Sequence, residues 1–586
     1  MPLDFRNCNT LWASVLVETL RRLGLKTVVI TPGSRSTPLV FTFTSTSDIE
    51  CISLLDERSA SFFALGMAKR TGCPIAIACT SGTAGANMYP AAIEARESRV
   101  PLLILTADRP PELHDCSSGQ TIRQTQLFGN YPNWQTTLAE PSDSEAMLRY
   151  LRQTTIQAWE RALTPVPGPV HLNIPFRDPL VPQPNPAILA RQDHLVATDF
   201  FAGVRARMPT TYATNISLPL TTWQHCDRGL IVAGPAFPSH SESYCQAVAQ
   251  LSICLGWPVL AAGLSPLRNF VDLNSHVVAH YDLILRDRDL AAHLQPDIVV
   301  QLGPLPTSKV LRQWLEELQP LTWVVDAGDR NLDPLHSRTE KLQMTVEQLA
   351  ARMQIENSTL PSSQSKLWFE AETHVREVVM ATMMSCDRLL ESKVAWMLSQ
   401  YLPEDTLLFV ANSTPVRDLE WFWVTVRSRV RPYCNRGANG IDGTLSSALG
   451  MAHGDRSSVL LTGDLALLHD TNGFLGAGRL QGHLTVVLVN NCGGGIFNLL
   501  PVANYDPPFE EFFATPQQVD IARLCAAYGV EWELVETWES FARSLNPLPA
   551  SGVRVLEIRC DRHADSRWRI EHLDRFIADF PLSTGE

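Results

Sequence analysis

The sequence predicts an α/β protein of three doubly wound parallel-sheet domains. Short uninterrupted apolar runs recur along its 586 residues, as strands buried on both faces of a parallel sheet require. Consecutive runs are separated by enough chain for a crossover helix, which parallel strands need. The length also exceeds what one hydrophobic core serves, so several domains are expected.

In the first segment the runs Thr27 to Thr31, Ile52 to Leu55, Ile75 to Thr80, Leu102 to Ala107 and Val170 to Ile174 alternate with helical patterns. The proline-rich passage Pro175 to Pro186 interrupts regular structure and reads as a linker. The middle segment carries Gly229 to Pro235, Pro258 to Leu260, Asp297 to Val300 and Thr322 to Asp326, and closes in a Ser-rich polar stretch, Asn357 to Lys366. Thr406 to Val410, Val459 to Thr462, Leu484 to Asn490 and Val553 to Ile558 are the strands of the third. The expected domains are 1–190, 191–365 and 366–586.

The chain has 61 acidic and 48 basic residues, a net charge of −13, with no long run of either sign, which argues against nucleic acid as a partner. Thirteen scattered cysteines without paired Cys-x-x-Cys spacing fit neither a disulfide framework nor a structural zinc site, and most, Cys79 among them, are expected to be small buried apolar residues. No apolar stretch is long enough to span a membrane, and Met1 to Thr10 lacks a signal-peptide pattern, so a cytoplasmic enzyme is expected.

Asp464 ends one strand run and Asn491 the next. Two parallel strands joined by a crossover place both residues on one sheet edge, where open α/β proteins bind ligands. With a carbonyl of the Cys492-Gly493-Gly494-Gly495 turn they would suit Mg²⁺, which keeps positions open for phosphate oxygens. The alternatives are an Asp that caps the next helix and an Asn-Gly cluster that only makes a turn. The same spacing separates Ser81 from Asp108, as two copies of one βαβ design would give. Glu57 opens an amphipathic helix running through Arg58 to Arg70, where a carboxylate also stabilises the helix dipole.

Read together, Thr31-Pro-Gly-Ser-Arg-Ser-Thr-Pro38, Asp56-Glu57-Arg58, Thr80-Ser-Gly-Thr-Ala84, Thr106-Ala-Asp-Arg-Pro-Pro-Glu112, Asn435-Arg-Gly-Ala-Asn-Gly-Ile-Asp-Gly443, Gly463-Asp464 and Asn490-Asn491 resemble the thiamine-diphosphate enzymes. More narrowly, they resemble the carboligase family of menaquinone and phylloquinone synthesis that joins 2-oxoglutarate to isochorismate. One departure is that Leu465, not Gly, follows Gly463-Asp464. The resemblance implies that the first domain binds the aminopyrimidine and the last the diphosphate. It further implies an active site between two subunits, so that a homodimer is the minimum assembly and a homotetramer stays open.

By that resemblance Glu57 hydrogen-bonds the pyrimidine ring nitrogen and Ile441 is the apolar wedge that holds the cofactor bent. Ser81, Gly82 and Thr83 contact the pyrimidine, and Asp464, Asn491 and Gly493 hold the Mg²⁺ (or Mn²⁺) and diphosphate. Ser34, Arg35, Arg109, Gln120, Lys309, Ser413, Arg417 and Arg436 contact substrate, and Ile496, Phe497 and Leu500 form apolar walls. Planar guanidinium groups suit the several carboxylates of the two acids. The histidines His171, His453 and His469 are isolated, and no nucleophile elbow occurs.

Two competing readings are another thiamine-diphosphate enzyme, either a 2-oxo acid decarboxylase or an acetohydroxyacid-type synthase, and a non-catalytic binding relic of the same fold. The arginines weigh against the first, since pyruvate brings one carboxylate. Glu57 weighs against the second, since binding alone has no need of it.

Overall fold

The computed structural model describes residues 3–191, 200–206, 218–353, 359–454 and 456–581. Residues 357 and 358 of the polar stretch lie outside them. Three six-stranded sheets are present, and every pairing is parallel. The first holds β1 (Thr27–Ile30), β2 (Glu50–Ser53), β3 (Ile75–Cys79), β4 (Leu102–Asp108), β5 (Trp134–Thr137) and β6 (Pro169–Pro175), in the order β2-β1-β3-β4-β6-β5. The second holds β7 (Gly229–Ala233), β8 (Val259–Ala261), β9 (Val277–Val278), β10 (Ile298–Leu302), β11 (Leu321–Val325) and β12 (Arg338–Leu342), in the order β9-β8-β7-β10-β11-β12.

The third contains β13 (Leu407–Val410), β14 (Arg431–Tyr433), β15 (Ser457–Gly463), β16 (His483–Asn490), β17 (Glu531–Leu534) and β18 (Gly552–Arg559). Its order, β14-β13-β15-β16-β18-β17, repeats that of the first sheet strand for strand, whereas the middle sheet has the order familiar from dinucleotide-binding folds. The echo read between Ser81–Asp108 and Asp464–Asn491 therefore falls on equivalent strand pairs, β3–β4 and β15–β16.

Central strands are mostly apolar because both faces are covered: every residue of β4 and of β6 is buried. The predicted run Ile52 to Leu55 sits two residues early, as β2, and Leu55 beyond it is 64% exposed. The proline-rich passage is no free linker. Asn9 Nδ2 donates to the Arg177 and Pro179 carbonyls and Asn7 Nδ2 to those of Val181 and Gln183, pinning it to the start of helix Cys8–Leu23. Of the thirteen cysteines, five are buried, including Cys79; the others are partly or fully exposed, contrary to the expectation for most of them.

By contact the described chain forms two compact units. One contains 1–211 with 435–454 and 469–481; the other contains 212–434, 455–468 and 482–586. In the first unit, helix Thr444–Ala452 lies against helix Glu57–Thr71 at backbone range. A Cβ on Gly66 would sit 1.9 Å from the Ser447 carbonyl oxygen, and one on Gly450 would sit 1.8 Å from that of Phe63. Only glycine permits this approach. In the second unit one continuous core, from Leu230 and Val299 to Val459 and Leu556, lies under the second and third sheets. No helix among the described residues is long and apolar enough to cross a membrane.

Candidate active site

Asp464 follows β15 directly and opens helix Asp464–His469, and Asn491 follows β16 directly, so both stand on one edge of the third sheet as expected. Asp464 is buried, and its Oδ2 accepts the Gly493 N–H at 2.7 Å. Burial pushes its carboxyl up to about 6, opposed by backbone N–H groups that include that of Leu465. The Leu465 departure thus leaves the backbone contribution intact, because a peptide N–H serves whatever the side chain.

After Asn491 the chain turns sharply, with Cys492 at φ 58° and Gly493 at φ 138°. A Cβ on Gly493 would meet the Ala514 carbonyl oxygen at 2.6 Å, so this cradle requires glycine. The Gly493 carbonyl accepts the Gly495 N–H at 2.9 Å and keeps a second lone pair.

The donor set fits a hard divalent cation. Asn491 Nδ2 donates to Glu391 Oε1, while Asn491 Oδ1 is buried with no hydrogen-bond partner among the described residues. A buried carbonyl left unpaired costs about 1–3 kcal/mol, which a cation would recover. No cluster of three His, Cys, Asp or Glu suited to a metal occurs among the described residues, so the donors would have to be mixed, as Asp464, Asn491 and a Gly493 carbonyl are.

Behind Asn491 lies a buried charge network that sequence reasoning missed. Arg569 donates to Glu391 Oε2 and Asp418 Oδ2, both at 2.6 Å, and Asp565 receives the Glu391 N–H at 3.2 Å and Arg388 at 3.0 Å. Burial, then the neighbouring Glu391, pushes Asp565 up to about 7, and burial pushes Asp418 up to about 6. No sequence signal marks these residues, since Arg569 lies 178 and 151 positions from its partners.

Arg569 also reaches a cavity of about 380 Å³ within the same unit, which brings together the expected Lys309, Arg417, Ile496 and Leu500. Lys309 begins helix Lys309–Leu318. Arg417 lies one turn into helix Thr414–Phe422, its Nη1 bonded to the Ser413 carbonyl at 2.6 Å. Ser413 holds φ 74° as the cap of that helix and does not line the cavity. Phe497, also expected as a wall, packs on Phe513 with ring centroids 6.0 Å apart instead. Asp282, Arg286 and Trp421 are lining residues that the sequence did not reveal.

In the first unit the loops after β1, β3 and β4 converge. Arg109 donates to Ser81 Oγ and to the Gly119 carbonyl, and burial, then Arg35, holds its guanidinium below the usual value. Arg35, buried, bonds the Phe176 carbonyl at 2.9 Å and pairs with Asp178 at 3.3 Å. Gln120 and Ser81 exchange two bonds at 3.1 Å, and the Gly82 N–H donates to Gln124 at 2.8 Å. Ser34 is exposed and its carbonyl caps Thr37; Thr83, also exposed, opens helix Thr83–Asn87.

Glu57 is the first residue of helix Glu57–Thr71, capped by Asp56, and accepts from Asn87 Nδ2 at 3.4 Å. Ile441 lies in the loop that leads into helix Thr444–Ala452, which packs on that same helix. Arg436 sits on the same loop. Buried Lys69 binds Asn435 Oδ1 at 2.9 Å, and Glu94 accepts the N–H groups of Gly437 and Ala438 at 3.1 and 2.7 Å, so a side-chain anchor before Arg436 and backbone anchors after it hold the loop. His171 bonds Thr106 in the core and His453 pairs with Glu50, in keeping with structural roles.

Three family models match in sequence: "Thiamine pyrophosphate enzyme, N-terminal TPP binding domain" over residues 12–127, "Middle domain of thiamine pyrophosphate" over 210–410, and "Thiamine pyrophosphate enzyme, C-terminal TPP binding domain" over 423–558. Together with the three sheets they define a thiamine-diphosphate enzyme. Two solved structures share the fold at a TM-score of 0.66: a putative thiamin diphosphate-dependent enzyme from Mycobacterium smegmatis, at 18% identity over 94% of this chain and 99% of that one, and the benzoylformate decarboxylase of Polynucleobacter necessarius, at 16% identity over 94% and 98%.

Curated relatives are much nearer. A protein of Trichormus variabilis is 56% identical over 99% of this chain and all of its own length, and one of Nostoc sp. is 55% identical over the same shares. Both are named 2-succinyl-5-enolpyruvyl-6-hydroxy-3-cyclohexene-1-carboxylate synthase, as is a Synechococcus sp. protein at 51% identity over 98% of this chain and 97% of its own. The chain belongs to this synthase family.

Proposed function

We propose that the chain releases carbon dioxide from 2-oxoglutarate and adds the remaining four-carbon unit in conjugate fashion to isochorismate, giving 2-succinyl-5-enolpyruvyl-6-hydroxy-3-cyclohexene-1-carboxylate. The observation that carries this reading is the cavity in which four cations, Arg286, Lys309, Arg417 and Arg569, share a lining with apolar Ile496 and Leu500. Fixed cations beside an apolar wall suit an acid whose carboxylates are separated by methylene groups.

Bound thiamine diphosphate supplies the nucleophilic carbon and the electron sink for decarboxylation. In this reading Asp464 and Asn491 Oδ1, which has no partner among the described residues, would with a Gly493 carbonyl hold Mg²⁺ (or Mn²⁺) and so anchor the diphosphate. Glu57 holds a proton at the pyrimidine nitrogen. Ile441 and the Ser81-Gly82-Thr83 turn shape the pyrimidine site. Ser34, Arg35, Arg109, Gln120, Ser413 and Arg436 join Lys309 and Arg417 in binding substrate carboxylates and hydroxyls, and Phe497 supports the apolar wall.

The same reading assigns 1–190 to the pyrimidine, 191–365 to a central domain and 366–586 to the diphosphate, with a homodimer as the minimum assembly and the cytoplasm as the compartment. The test supplies 2-oxoglutarate, thiamine diphosphate and Mg²⁺ and compares carbon dioxide release with and without isochorismate. Release that depends on isochorismate is expected. Equal release without it would make the protein a decarboxylase and overturn the proposal.

A further inference from the structure

We infer that Glu391 is a positioning residue that fixes which end of the Asn491 amide faces the metal site; this rests on the reading of Asn491 as a metal ligand. An amide's oxygen and nitrogen are nearly the same size, so the side chain alone does not determine which end points where. An ionised carboxylate can only accept. By taking the Asn491 Nδ2–H, Glu391 Oε1 turns Asn491 Oδ1 the other way, where it is buried and has no partner among the described residues. Gly495 leaves the nitrogen room to take this place: a Cβ there would stand 2.7 Å from it.

Glu391 is itself immobilised. Its Oε2 accepts from Arg569 at 2.6 Å and its N–H is held by Asp565 at 3.2 Å, with both Glu391 and Arg569 side chains only 1% exposed. Arg569 is in turn fixed by Asp418 at 2.6 Å and reaches the cavity of Lys309 and Arg417, so one buried guanidinium ties the ligand-orienting carboxylate to the substrate pocket.

The test is a swap of donors and acceptors, read by electron paramagnetic resonance titration of Mn²⁺ in the presence of thiamine diphosphate. In Glu391→Gln the single carbonyl oxygen goes to charged Arg569, the new NH₂ faces Asn491, and the Asn491 amide turns over. Mn²⁺ affinity is expected to fall roughly 10–100-fold, the usual effect of losing a residue that orients a ligand. Asn491→Asp alone, at pH 8, sets two carboxylates face to face and is expected to weaken binding similarly, although a carboxylate is a good ligand for Mn²⁺. With both changes the new amide donates to the new carboxylate, and affinity should return to within about twofold of wild type.

Circular dichroism checks each fold, and Asn491→Asp decides the matter by itself if Glu391→Gln does not fold. Single variants that bind Mn²⁺ like wild type, or a double variant no tighter than the weaker single one, would overturn the positioning role alone. A wild-type protein whose Mn²⁺ binding ignores thiamine diphosphate would overturn the metal reading beneath it.

Discussion

Replacing Gly66 by Ala tests the helix contact that holds the helix beginning at Glu57. The added Cβ would lie 1.9 Å from the Ser447 oxygen, 2.7 Å from its carbonyl carbon and 2.9 Å from the Met451 nitrogen. These are backbone atoms of a buried helix, so they cannot rotate away as a side-chain end could, and the two helices must separate. Overpacking of this kind costs about 1–3 kcal/mol or more, and lost helix–helix contacts add to it. The better helix propensity of Ala returns about 1 kcal/mol. A net loss of about 2 kcal/mol should lower the melting temperature by roughly 4 °C or more for a unit of this size. The assay is a thermal melt by circular dichroism beside Gly478→Ala, where nothing lies within 4 Å of the added Cβ and no loss is expected. Equal melting of Gly66→Ala and wild type would refute the close crossing.

Glu57→Gln should leave thiamine diphosphate affinity within a few-fold but lower carbon dioxide release by about 10²–10⁴, as loss of a proton-handling group does; unchanged turnover counts against its role. Lys309→Ala and Arg417→Ala should each reduce kcat/KM for an acidic substrate by roughly 10–100-fold without altering Mn²⁺ binding, as loss of a charge-assisted hydrogen bond predicts. His171 is buried, and burial depresses its imidazole to about 3, so the folded protein binds fewer protons than the unfolded chain below the ordinary histidine value. Its share of stability is present above about pH 6.5 and is lost on acidification towards pH 3. Between pH 6.5 and 4.5 wild type should lose about 2 kcal/mol more than His171→Gln, checked by melts across that range.

The central strands were legible because burial on both faces forces continuous apolar runs. Those that escaped notice, β5, β9, β12, β14 and β17, all lie at sheet edges. There one side is open, and the strands are largely polar, as in Arg338–Leu342, alternate charge with apolar residues, as in Glu531–Leu534, or are only two or three residues long, as in Val277–Val278 and Arg431–Tyr433. Asp464 and Asn491 were legible for a related reason: a crossover of fixed length delivers both to one edge. Glu391 and Arg569 were not, because their proximity is made by packing between distant segments and leaves no spacing to read. The passage after β6 was misjudged as a linker because proline content reports the lack of helix or strand but not the side chains, such as Asn7 and Asn9, that hold a segment down.

The glycine-lined crossing of helices Glu57–Thr71 and Thr444–Ala452 also sets a clock on biosynthesis. At 5–20 residues per second, the ribosome delivers the second helix roughly 20–75 s after the first. Throughout that interval the face bearing Phe62, Phe63 and Gly66 has emerged without its cover, a nascent surface open to chaperones or to a sister chain.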